Sequence, residues 1–91
     1  MTKKKILIVE DESLAALDIQ GCLQSSNYEV VRITAGGKEA LDLVESKYPN
    51  LIIMDIHLEG NMGGTETAHI IRSRFGLPVI FLSPQGVLVN Y

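Results

Sequence analysis

The chain has 91 residues, of which 46% are apolar and 21% charged, and its formal net charge is -3. That length holds one domain at most, and the composition is that of a globular rather than a disordered chain. The small negative charge gives no electrostatic reason to expect nucleic acid or an anionic membrane as the main partner. A single cysteine, Cys22, excludes an internal disulfide. No apolar run approaches the ~20 residues of a bilayer span and no signal-like leader precedes the first strand, so the expected location is cytoplasmic.

The chain opens with a lysine run, Lys3 to Lys5, which reads as a solvated lead-in to the first strand. KILIV, residues 5–9, is a short continuous apolar run rich in branched side chains, as expected of a strand buried on both faces of a parallel sheet. It ends in acid, with Glu10, Asp11 and Glu12. Ser13 or Asp11 is placed to cap a helix in which Ala15, Ile19, Cys22 and Leu23 share one face, and this helix should stop near residues 25–27. By that pattern Cys22 is a small core residue.

A second strand is expected at YEVVRIT, residues 28–34, broken by Gly36 and Gly37. KEALDLVESKY then carries Ala40, Leu43, Val44 and Tyr48 on one stripe and is closed by Pro49. LIIM, residues 51–54, is the third strand, and HLEGNMGG after Asp55 is a glycine-rich loop. TETAHIIRSRF makes a third helix with Ala68, Ile71 and Phe75 on one side, a stop at Gly76, and Arg72 and Arg74 favouring the dipole at its end. PVIFLS, residues 78–83, is the fourth strand. This βαβαβαβ order predicts a single α/β domain over residues 1–91, its parallel sheet covered by helices on both faces.

Ligands in such sheets gather outside the carboxyl ends of the strands. That rule collects Glu10 and Asp11 at the end of the first strand, Asp55 at the end of the third and Ser83 at the end of the fourth. Each alone is readable as an ordinary strand end or helix cap. Together they pose an electrostatic problem, since two carboxylates about 5 Å apart repel by roughly 3 kcal/mol at an effective dielectric near 20. A hard divalent cation with oxygen ligands, Mg²⁺, resolves it. Zinc is disfavoured because His57 and His69 lack a third nitrogen or sulfur ligand nearby. Asp55, alone at the end of the central strand, is the candidate nucleophile toward a phosphoryl group, and the Ser83 hydroxyl is a candidate donor to a phosphoryl oxygen. GNMGG is not a phosphate loop, because G-x-x-x-x-G-K-[ST] is absent.

ILIVEDE, GGKEAL, YPNLIIMDIHLEG and PVIFLS, in this order and spacing over residues 4–83, resemble the response regulator receiver domain of two-component signalling. The resemblance implies a three-layer flavodoxin-like (CheY-like) sheet of strand order 2-1-3-4. It also implies that Glu10 and Asp11 serve Mg²⁺ together with Asp55 and the backbone carbonyl of His57. Asp55 is then the aspartate phosphorylated by a histidine kinase, and Ser83 the switch hydroxyl. The His57 side chain stands where it can tune phosphoryl lifetime.

The chain departs from that pattern in several places. The usual C-terminal helix, lysine-bearing strand and final helix are not found, and no lysine follows Lys47. Pro84 follows Ser83 and pushes it toward extended geometry. The loop LEGNMGG is about one residue longer than the commonest form, and Gly63 stands where an aspartate is frequent. The expectation is a phosphoacceptor module, not an enzyme, impaired by the missing lysine. Two alternatives stay open: a phosphorylation-incompetent scaffold, and a phosphatase of the haloacid dehalogenase type. The latter wants an aspartate where His57 stands. Stopping at the fourth strand leaves that strand as an edge, so VLVNY, residues 87–91, is expected either to add a strand or to pair with a second copy in a homodimer.

Overall fold

The structure, a computed structural model, describes residues 3–58, 62–83 and 86–90, with side chains up to Leu82. In chain order the elements are β1 (Lys5–Val9), α1 (Ser13–Ser25), β2 (Glu29–Thr34), α2 (Gly37–Lys47), β3 (Leu51–Asp55), α3 (Gly64–Phe75), β4 (Val79–Ser83) and β5 (Gly86–Asn90). The sheet order is β2-β1-β3-β4-β5, and the first four strands are parallel. Those four, with three helices, form the three-layer receiver-like arrangement expected from the sequence.

Alternation along the central strands sorts their side chains into two cores. Leu7 and Val9 of β1, Ile52 and Met54 of β3, and Val79 and Phe81 of β4 face Ala40 and Val44 of α2 and Ala68 and Ile71 of α3. Ile6, Ile8 and Ile53 point the opposite way, toward Ala16 of α1 with Ile19 and Leu23 beside it. One face of the sheet therefore carries two helices and the other only α1. Burial on both faces explains why β1 and β3 read as unbroken apolar runs rather than alternating ones.

The α1 prediction needs two corrections. Cys22 is exposed, not a core residue. The inward stripe is Ala16, Ile19 and Leu23, which turns Cys22, Leu14 and Leu17 outward, the two leucines being 75% and 56% exposed. The sequence admitted both choices because Leu14 to Leu17 is apolar all round, so spacing alone did not fix which side meets the sheet. Neither proposed cap operates: Glu12 is the N-cap residue and makes no side-chain cap bond. Its backbone N–H donates instead to Oε2 of Glu10 at 3.1 Å.

The other helix ends follow the sequence more closely. Gly76 closes α3 with φ of 67°, the left-handed conformation that glycine takes without penalty. Tyr48 closes α2 in the same region, with φ of 50°, and this turn takes it off the stripe expected of it and leaves it 76% exposed. At the far side of the sheet Gly86–Asn90 pairs antiparallel with β4. The outer strand is thus β5, and the edge of β4 expected to receive a second copy is already filled. Among the described residues no helix is long and apolar enough to cross a membrane.

Candidate functional site

Strand register brings the site together. Val9 of β1 pairs with Met54 of β3, so the residues that follow, Glu10 and Asp55, emerge side by side at the carboxyl edge. The N–H of Glu10 donates to the carbonyl of Thr34 at 2.8 Å, and that of Ile56 to the carbonyl of Leu82 at 3.2 Å, so the exits of β1 and β3 are each anchored to the neighbouring strand. One carboxylate oxygen from each of Glu10, Asp11 and Asp55 lies within 4.8 Å of the others. Glu10 and Asp55 are half-buried, and Asp11 is exposed.

Asp55 starts a tight turn. Its Oδ1 accepts the backbone N–H of His57 at 3.0 Å, an arrangement that fixes one carboxylate oxygen by purely local geometry. The His57 side chain is exposed. Ser83 ends β4, where its backbone pairs with Gly86; its side chain lies outside the described residues, as do residues 59–61 of the loop after Asp55.

Crowding of acids shows on Glu10, whose pKa rises from 4.5 to about 7. Burial is the largest cause; the charge of Asp55 and hydrogen bonds with Asp55 and Asp11 add to it, while the N–H of Glu12 pulls the other way. Protonated Glu10 is favoured by folding, so the folded chain binds more protons than the unfolded one between pH 4.5 and about 7. The stabilisation is complete below that window and is lost as pH rises through it. Without divalent ions, the melting temperature should fall from pH 5 to pH 8, and Glu10→Gln should flatten the slope. A wild-type melting temperature that rises over this range would contradict the assignment.

Three features of the site were not legible in the sequence. Gly64, read only as part of a loop, opens α3 so close to β3 that a Cβ there would stand 2.6 Å from the carbonyl oxygen of Asp55 and 3.2 Å from that of Ile56. Thr34, 3% exposed, donates its hydroxyl to Oε1 of Glu39, which ties the end of β2 to the first turn of α2. A cleft of about 320 Å³ adjoins the acids and is lined by Glu10, Asp11 and Ser13 together with Ala16, Leu17 and Ile33. The doubled glycine at 63–64 was the one available signal for the first; the other two need tertiary contacts.

The family described as the response regulator receiver domain matches residues 6–89. The transcriptional regulatory protein PdtaR of Mycobacterium tuberculosis is 34% identical over 80 residues, which is 88% of this chain and 38% of that protein. The phyllosphere-induced regulator PhyR of Methylorubrum extorquens is 34% identical over 80 residues, 87% of this chain and 30% of that protein. The chain thus spans roughly a third of the length of these curated relatives. Among solved structures, the signal receiver domain of a modulated diguanylate cyclase from Desulfovibrio desulfuricans superimposes with a TM-score of 0.85 at 36% identity, covering 90% of this chain and 66% of that one. With its family matched over nearly its whole length, the chain belongs to the response regulator receiver domains, signalling modules of two-component systems rather than enzymes.

Proposed function

We propose that Asp55 is a phosphoacceptor and that a histidine kinase is its donor. The observation that carries this reading is the approach of the Glu10, Asp11 and Asp55 carboxylates to within 4.8 Å at the carboxyl edge of the sheet. In the transfer, a carboxylate oxygen of Asp55 attacks phosphorus. The new O–P bond forms as the N–P bond of the donor phosphohistidine breaks, and the electron pair returns to the imidazole nitrogen. The Ser83 hydroxyl is proposed to donate to a phosphoryl oxygen afterwards. The same reading puts the chain in the cytoplasm, where the ATP that charges such a kinase is found.

A set of hard oxygen donors this close together suits Mg²⁺, and Glu10, Asp11, Asp55 and the carbonyl of His57 are the residues that would hold it. When bound, such an ion supplies positive charge to the transferring oxygens. Millimolar Mg²⁺ should raise the melting temperature, since an ion that binds only the folded state at ten times its Kd contributes about 1.4 kcal/mol. Asp11→Asn should remove most of the effect, and an unchanged melting curve for the wild-type chain would exclude the metal assignment.

A second reading, an interaction scaffold without phosphoryl chemistry, is favoured by one fact: among the described residues no cation pairs with Asp55. Incubation with Mg²⁺ and acetyl phosphate, followed by intact-mass spectrometry, separates the two. Gain of one phosphoryl group supports the phosphoacceptor, even if slow. No gain, together with no shift on adding fluoroberyllate, leaves the scaffold. Repeated turnover of phosphate esters would restore the phosphatase alternative.

A further inference from the structure

The parallel sheet sorts charge as well as side chains. At the amino edge, the N–H groups of Glu29 and Asn50 donate to the carbonyls of Lys4 and Lys5 at 2.9 and 2.8 Å, and that of Ile52 to Pro78 at 3.1 Å. These bonds gather the starts of β1, β2 and β3 and the residue before β4 at one end of the molecule. Because α2 and α3 run back against the strands, their last turns arrive at the same end, carrying Lys47, Arg72 and Arg74. Lys3, Lys4, Lys47, Arg72 and Arg74 are all exposed there, against the acids Glu29 and Glu45. The opposite end holds Glu10, Asp11, Glu12 and Asp55 from the strand exits and Glu39 and Glu66 from the first turns of α2 and α3. Lys38 is the one lysine or arginine at that end among the described residues.

Helix dipoles account for part of this, since acids favour first turns and bases last turns. They do not account for the lysine run before β1 or for the four acids at the exits of β1 and β3, which belong to no interior turn of a helix. The groups that act on Glu10 are Asp55, Asp11 and the N–H of Glu12, and no cation is among them.

We infer that the amino edge of one copy docks on the carboxyl edge of another, a head-to-tail contact between copies of this chain held by Lys3, Lys4, Lys47 and Arg72 against the exposed Asp11 and Glu12. Charge complementarity selects a second copy as the occupant, because one molecule carries both faces. The contact is heterologous, so it builds rings or open chains rather than a two-fold dimer, and the assembly grows as concentration rises. It stands independently of phosphoryl transfer. The Debye length is about 30 Å at 0.01 M ionic strength and about 3 Å at 1 M, so association belongs to low salt.

Sedimentation velocity over a concentration series tests this. At an ionic strength of about 0.01 M the mean mass should climb with concentration, and at about 0.5 M the chain should be monomeric, with at least a tenfold weaker association constant. Asp11→Lys/Glu12→Lys and Lys47→Glu/Arg72→Glu, each with a wild-type circular dichroism spectrum, should be monomeric alone and should associate when mixed at low salt. A wild-type chain that stays monomeric at low salt, or that associates equally in high salt, overturns the inference. So does a chain that is retained on heparin while showing no self-association, because its basic end would then serve a foreign polyanion.

Discussion

Asp55→Asn should leave the chain unable to carry a phosphoryl group, so intact-mass spectra after incubation with acetyl phosphate and Mg²⁺ should show no gain where the wild-type chain is expected to gain one. An amide nitrogen and a carbonyl oxygen replace the nucleophilic carboxylate, and neither forms an acyl phosphate. The substitution should spare the fold, because the new amide oxygen still accepts the N–H of His57 as Oδ1 does now. It also has an electrostatic signature that a general loss of structure would not reproduce. Asp55 raises the pKa of Glu10 through its charge and a hydrogen bond, so Glu10 should titrate below about 7 in the variant while burial keeps it above 4.5. Labelling that survives in Asp55→Asn would place the acceptor elsewhere.

Gly64→Ala should destabilise the chain by about 1–3 kcal/mol, the range for forcing a methyl group into a filled space. The obstruction is the carbonyl oxygen of Asp55 at 2.6 Å, and backbone cannot rotate away as the tip of a side chain can. At ~4–8 °C per kcal/mol for a domain of this size, the melting temperature should fall by on the order of 10 °C. Since relief requires α3 to move off the exit of β3, the response to Mg²⁺ should weaken as well. Gly21→Ala provides the opposite sign. Gly21 sits inside α1 with nothing within 4 Å of its Cβ position, so alanine there should stabilise by about 0.5–1 kcal/mol. Equal melting temperatures for the two variants would mean that the contact between Gly64 and Asp55 has no energetic weight.

How much of the fold and site was legible in the sequence depended on whether the determinant was local. LIIM followed by Asp55 announced both a buried strand and the point where it ends, because a carboxylate that stops an apolar run marks the residue at which the chain leaves the core. Likewise Gly76 announced a helix stop through its backbone freedom. The side that α1 buries was not legible, since apolar residues surround its first turn and only the sheet decides which of them face inward. Glu10 accepting the N–H of Glu12 in place of a cap, and Thr34 donating to Glu39, both depend on where neighbouring segments converge. Gly64 was hidden for a different reason: its role is to leave room for another segment's backbone, and absent atoms leave no periodicity.

The unequal position of the strands within the sheet sets how their amides exchange with deuterium. β1 is hydrogen-bonded to β2 and β3 on its two sides and covered by helices on both faces, so its amides open only when the whole domain does. β2 has a partner on one side alone, and its amides should exchange through smaller local openings. β3 is placed in the same way, between β1 and β4 and buried on both faces. The slowest-exchanging amides therefore lie on the two strands that lead into Glu10, Asp11 and Asp55, so the acidic edge is built on the segments that yield last.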